Sequence, residues 1–454
     1  MYYTRAVSGR IQQLRASTLL AGVIITAAAA SQAALDGAAA WAHAVRASSI
    51  DAPTASRVER FVAGSVARAT TRNIDGQPAL EVITIAAPDV AQSLADAAGQ
   101  SADRLSAWLG PLPGNRVTIV DVPAHAALAG AAYPAIAITS SRLFTTRREF
   151  ATERALTVAI ARQYALALAT APPRESWFAE GLAEYFATRA VHETFEGRYY
   201  LTLRYFGGYV PHSIRAIVMS PNPLDPRPRV VRLPDVIEPA DAPWRLAHGA
   251  DLDRARRLTL ALHTLERFVG WPAFQAALRA FVERSAGQPA TLQDFTAVLS
   301  EQRGADLTWF FDQAMRAGAR VDYAVANLAS VPAASAGWET TVDVRRLGEA
   351  TFDGTSVPRA TATSRSLPVL VRFADGSEIT EWLDGRDREW RFEYSSASPA
   401  VLASVDPGAI LLIDADRTNN TRTLNPPLHT VGLRLAFNWL AWLQDAMLAC
   451  TAVI

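Results

Sequence analysis

From about Ala91 to Asn327, apolar residues recur at three- and four-residue intervals, the spacing that lines one face of an α-helix. The pattern breaks near 220–244, in "SPNPLDPRPRVVRLPDVIEPADAPW", where repeated prolines remove backbone donors and fix φ too often for a helix to persist. After Gly337 the period changes to two. "WETTVDVRR", "LPVLVRFADG", "SEITEWLDG", "WRFEYSS" and "AILLID" read as short strands, with turns at Asp375-Gly376 and Asp384-Gly385. Ahead of the helical region, residues 58–88 hold β-rich runs around a turn at Asp75-Gly76. The pattern predicts an α+β chain: a few strands, a mostly helical domain, then a small β-sandwich ending near Leu424. There is no internal repeat.

Both ends are apolar. Residues 1–15 carry Arg5, Arg10 and Arg15 and no acid; "STLLAGVIITAAAASQAAL" follows, with a small-residue step at Ser31-Gln32-Ala33. This reads as a cleaved secretory signal or as an uncleaved signal anchor. Either way the arginines favour a cytoplasmic N-terminus and export of the rest, to the periplasmic or extracytoplasmic face of a bacterial-type membrane. At the other end, "GLRLAFNWLAWLQDAMLACTAVI" puts Leu435, Trp439, Trp442 and Ala446 at helical spacing. Asp445 is costly at bilayer depth. A helix in the membrane interface, or packed on a partner, is therefore favoured over a span; docking on the protein's own β domain is the plainer alternative. The expected organisation is a signal peptide or anchor with a linker (1–49), a short β region (50–90), a helical domain (91–330), a β-sandwich (336–425) and a hydrophobic or amphipathic helix (426–454).

Composition narrows the chemistry. Basic and acidic residues number 44 each, so no charge excess points to nucleic acid. Every basic residue is arginine, which removes lysine nucleophiles and Schiff bases. The single cysteine, Cys450, leaves no internal disulfide and no cysteine-based metal site. The seven histidines include no pair at i, i+4, and the one His-Glu step, His192-Glu193, lacks a second histidine.

Against that poverty stands "WFAEGLAEYF", residues 177–186. It resembles the helix that supplies the third zinc ligand in gluzincins of the alanyl-aminopeptidase type. Other segments are similar to that family in the expected order: 94–123, "GAAYPAIAI" at 130–138, "TLQDFTAVLSEQRGADLTWFFDQAM" at 291–315, and "VDPGAILLIDADRTNN" at 405–420. The resemblance implies a thermolysin-like, mostly helical peptidase domain, with the family's N-terminal saddle domain reduced to the strands of 50–90. It places Glu180 at the ligand position and Glu184 at the supporting acid one turn on.

The rest of the family's site is not matched. Arg162 falls where the second histidine would stand, Val158 at the first histidine and Ala159 at the catalytic glutamate. Ala132, before Tyr133, replaces the glutamate that grips the substrate amine, and Ala255 occupies the place of the transition-state tyrosine. The interval from Arg162 to Glu180 is one residue shorter than the family's. Metal, base, amine anchor and oxyanion donor are all affected, so the sequence predicts no catalytic residues, no metal and no cofactor. It also predicts an Arg162–Glu180 ion pair in place of the zinc cross-link. The implied function is an inactive aminopeptidase-like protein that binds a peptide or membrane-protein partner, or a structural module held by its terminal segments. The alternative is a metallopeptidase-family hydrolase with a non-standard site.

Overall fold

The computed structural model describes residues 39–46, 50, 52–63, 67–74, 77–84, 88–114, 116–122, 132–133, 135–139, 151–168, 176–195, 250–285, 288, 290–316, 319–334, 336–352, 367–384 and 387–425. It also describes 433, 436, 437, 439, 440, 443 and 444. The predicted N-terminal signal or anchor run and the proline-rich 220–244 segment lie outside these residues. The chain divides into two units, one of residues 1–106, 111–143 and 152–166, the other of 107–110, 144–151 and 167–454.

The first unit is built on a sheet. β1 (Ala67–Ile74) and β2 (Gln77–Thr84) form an antiparallel hairpin that closes with Ile74 opposite Gln77, on either side of the predicted Asp75-Gly76 turn. α3 (Pro88–Leu109) then leads to β3 (Val117–Asp121), which runs parallel to β2. β5 (Ile136–Thr139) is parallel to β3, and the short β4 (Ala132–Tyr133) pairs antiparallel at the edge, giving the order β1-β2-β3-β5-β4. All five residues of β3 are buried, as suits a central parallel strand covered on both faces. Strands from before and after residue 90 thus share one sheet.

Two expectations are corrected in this unit. Val58 to Ala63, read as β-rich, belong to α2 (Ala52–Ala63), which buries Thr54, Val58 and Val62 at the four-residue interval of one helix face. Residues 39–46, assigned to a linker, form the helix α1 and bury Ala40, Trp41 and Ala44, again at helical spacing. α4 (Ala151–Leu168) contributes most of its length to this unit.

The second unit holds helices and the β-sandwich. α5 (Ser176–Phe195), α6 (Ala250–Val269), α7 (Trp271–Arg284), α8 (Leu292–Arg303) and α9 (Thr308–Ala314) form its helical part. Thr291 and Asp294 cap α8 reciprocally, each side chain accepting from the other's backbone N–H. Phe274, Phe281, Phe295, Phe310 and Phe311 interlock edge to face in its core, with ring centroids 5.2–6.3 Å apart. The sandwich pairs a sheet of order β10-β7-β6 with one of order β12-β11-β8-β9. These strands are β6 (Tyr323–Pro332), β7 (Trp338–Arg346), β8 (Pro368–Phe373), β9 (Glu378–Trp382), β10 (Glu389–Ser396), β11 (Ala400–Val405) and β12 (Thr421–Thr423).

Four of the five predicted strands after Gly337 are found, as β7 to β10, and β6, β11 and β12 are additional to them. β6 begins the sandwich at Tyr323, well before 336. "AILLID", 409–414, is not a strand. Its backbone donors are taken by side chains instead of a ladder: Asp406 accepts from Ile410 and Leu411, each at 2.8 Å, and Thr264 accepts from Ile413 at 3.2 Å. The left-handed backbone at Asp406 and Ala409 also breaks extension. Leu411, Leu412 and Ile413 are buried in succession between α6 and the sandwich, so the run lacks the alternation of a half-buried strand. The described residues of the predicted C-terminal helix are helical, and no helix among the described residues is long and apolar enough to cross a membrane.

Candidate functional site

The residues predicted to form the relic of a zinc site are shared between the two units. In the first unit, Val158 and Ala159 lie buried on α4, and Arg162 follows half-buried one turn on. Gln163 is buried and ties α4 to the edge of the sheet. Its Oε1 accepts from the Ala135 N–H at 3.1 Å, and its Nε2 donates to the Ile136 carbonyl at 3.1 Å. Tyr164 meets Ser106 hydroxyl to hydroxyl at 3.0 Å, and burial raises its pKa against that hydrogen bond and the Arg72 charge. Ala132 is buried in β4 opposite Ala137, and Tyr133 pairs with Ile136. The structure therefore brings Ala132, Tyr133 and the Arg162–Tyr164 turn of α4 to one sheet edge.

In the second unit, Glu180 is buried on α5 and Glu184 half-buried one turn further. Between them sits Gly181. A Cβ at this position would come within 2.7 Å of Leu258 Cδ2 and 2.9 Å of the Ala255 carbonyl oxygen. The absence of a side chain is thus what lets α5 press onto α6. Ala255, which replaces the predicted tyrosine position, is one of the two residues that receive this contact. Thr259 fixes the crossing by donating to both the Gly181 and Ala255 carbonyls at 3.1 Å. Glu180 and Ala255 therefore come to the same helix crossing. Arg162 and Glu180 belong to different units, and their ion pair stays an expectation of the sequence.

The α5–α6 contact also carries a polar cluster that the motif comparison passed over. Glu266 on α6 accepts from the Tyr185 hydroxyl at 2.8 Å and from the Arg189 guanidinium, both on α5. The Arg189 Cζ sits over the Trp271 ring, 3.4 Å from its centroid, with Trp108 edge-on to Trp271. His263 stacks 4.5 Å from the Tyr185 ring, its Nδ1 3.8 Å from Glu266, beyond hydrogen-bond range.

Burial would raise the Glu266 carboxyl, but the Arg189 charge and the Tyr185 hydroxyl outweigh it and hold the pKa low. Burial drives Tyr185 well up, with the Glu266 charge beside it, and drives His263 down, so the imidazole is neutral. His192 is lowered too, by burial and then by Arg267. With Tyr185 and His263 essentially closed to solvent, this cluster is a cross-link between helices. The signal available in sequence was faint: Tyr185 and Arg189 at i, i+4, and His263 and Glu266 at i, i+3, inside otherwise apolar helices.

Val158 and Ala159 have no ligand atom at the positions where the resemblance needs an imidazole and a carboxylate. Among the described residues, no three His, Cys, Asp or Glu side chains group so as to hold an ion.

No protein-family model matches the chain, and no curated protein matches it. Solved structures similar to it include an aminopeptidase A from Legionella pneumophila in complex with aspartic acid, at 14% identity and a TM-score of 0.45. That match covers 74% of this chain and 37% of the other. Another is an M1 zinc metallopeptidase mutant from Deinococcus radiodurans, at 18% identity and a TM-score of 0.35, covering 55% of this chain and 52% of the other. This chain thus spans about half or less of the length of either protein. At these scores the likeness carries no argument about what this chain does.

Proposed function

We propose that the chain is a peptidase-like protein without aminopeptidase catalysis, serving as a binding or structural component at a cell envelope. The observation that carries this reading is the pair Val158–Ala159, two buried residues without a donor atom where a metal ligand and a general base would have to stand. A lone carboxylate such as Glu180 cannot replace two imidazoles, because a catalytic zinc needs three protein ligands and an open fourth position. The α5–α6 pair is meanwhile fastened by the Tyr185–Glu266–Arg189 cluster, which needs no ion to hold the helices. The basic, then apolar N-terminal run supports export.

The test is metal analysis and turnover on the purified full chain, with a panel of aminoacyl anilides. We expect no stoichiometric zinc and no chelator-sensitive hydrolysis. Tightly bound zinc at one equivalent, or turnover abolished both by chelator and by Glu180→Ala, would overturn the proposal in favour of a hydrolase with an unusual site. Binding is separated from a purely structural role by partner capture. Loss of capture on substitution of Glu184 supports binding at the relic site, whereas loss only on removal of the terminal segments supports a structural module.

A further inference from the structure

We infer that the chain docks on a lipid surface through the exposed face of its C-terminal helix. Leu433, Ala436, Phe437, Trp439, Leu440, Leu443 and Gln444 are helical. At ~100° per residue, Leu443, Ala436, Leu440, Leu433, Gln444 and Phe437 fall within an arc of about 120°. All six are exposed, Leu433 and Leu443 by 50%, Leu440 by 61% and Phe437 by 67%. Trp439, just outside the arc, is half-buried. Trp439, the described member of the face that the sequence singled out, thus lies apart from this exposed row. Exposed large apolar residues elsewhere, such as Val331, Leu347, Ile379 and Trp382, do not share one helix face. Isolated residues of that kind are ordinary on a protein surface, whereas four on one helix face form a contiguous patch of the size that often marks a binding surface.

The geometry selects among covers. The described stretch from Leu433 to Gln444 advances roughly 17 Å, against about 30 Å of hydrocarbon in a bilayer, so it does not itself span one. For a second copy of the chain, the four large side chains at this exposure offer roughly 400 Å², about half of the ~800 Å² that each partner brings to a stable dimer. A lipid interface sets no such threshold. A single amphipathic helix lies flat in it, sinks its apolar face about 5–10 Å, and gains in proportion to the area it has. The exposed arc contains no charged residue among its described positions, so hydrophobic burial drives the docking and anionic lipid adds little. The inference is independent of the loss of catalysis, since an active enzyme could carry the same helix.

The experiment uses the full chain with Cys450→Ser and Phe437→Cys, which leaves one thiol for an environment-sensitive fluorophore on the exposed face. The label reports this helix and not the apolar N-terminal run. With phosphatidylcholine vesicles we expect the emission to shift to the blue and rise by about twofold, with little change on adding salt or anionic lipid. Leu433→Glu with Leu440→Glu should weaken partition by at least about tenfold, and both positions are exposed enough for the fold to tolerate the change. No emission change with vesicles, while sedimentation shows a dimer that the double glutamate variant dissolves, would overturn the inference and assign the face to a second copy. A label that stays in water on a monomeric protein would overturn it as well.

Discussion

Glu266 is where the second unit is most sensitive to a single atom. Its carboxylate is the acceptor for both Tyr185 and Arg189, and arginine cannot shed its charge when its partner is lost. Glu266→Gln should therefore destabilise by up to about 3–5 kcal/mol, read as a shift in the urea midpoint, because it leaves a largely buried guanidinium with only the more exposed Glu193, 3.7 Å away, as its anion. Tyr185→Phe removes one hydrogen bond and should cost less, about 1–3 kcal/mol. That Val158 and Ala159 carry no donor atom was legible in the sequence, because it lies in residue identity and holds in any conformation. This cluster was not. Spacing along the chain shows metal ligands one turn apart, whereas His263 matters through Tyr185 and Glu266, and which helix faces meet is a property of the packing.

At the scale of elements, the α5–α6 crossing rests on the missing side chain at Gly181. Gly181→Ala would drive a methyl against the Ala255 carbonyl, a backbone atom that cannot turn aside, and should destabilise by about 1–3 kcal/mol in the same assay. Helix propensity alone would predict the opposite sign, since alanine favours a helix over glycine by about 1 kcal/mol, so the direction of the change identifies the cause. Elements with an unambiguous period were readable in advance. β7, β8, β9 and β10 stand where their alternation put them, and the β1–β2 hairpin closes where Asp75-Gly76 predicts. β6 and β11 were missed, and "AILLID" was misread, for one reason. "YAVANLASVP" and "AVLASV" alternate weakly, while the apolar run is buried by contacts from both sides and has its amides bound by Asp406 and Thr264.

Across the second unit the titrating groups oppose one another. Burial raises Asp406 to about 6 and Asp414 to about 7, against the backbone N–H groups that favour their charged forms. Both bind a proton more tightly folded than unfolded. Their contribution is full below the ordinary value of 3.8 and is lost as pH rises through 6 and 7. His263 is lowered from 6.5, so its contribution is present above that value and is lost as pH falls through its folded pKa. These opposing slopes share one window below about pH 6.5, where two aspartates outweigh one imidazole, so the sum of the three should fall as pH rises. Asp414→Asn should make that fall shallower, an effect worth up to roughly 4 kcal/mol at about 1.4 kcal/mol per pKa unit. His263→Phe should make it steeper, and urea midpoints from about pH 4.5 to 8 would show either effect.

The clasp between Arg189 and Glu266 joins residues 77 apart in the chain, across residues 196–249, while α6 to α9 follow one another directly. Closing a long loop must precede the reward of the contacts it brings, so neighbours condense before distant partners dock. On this ground α6–α9, with Phe274, Phe281 and Phe295, should form early and α5 should dock late. In time rather than energy, Gly181→Ala should hasten unfolding and leave the folding rate nearly unchanged. Phe295→Leu should slow folding itself, and the two limbs of a denaturant chevron would tell these apart. The helix that carries Glu180 and Glu184 should then be the last to settle and the first to leave.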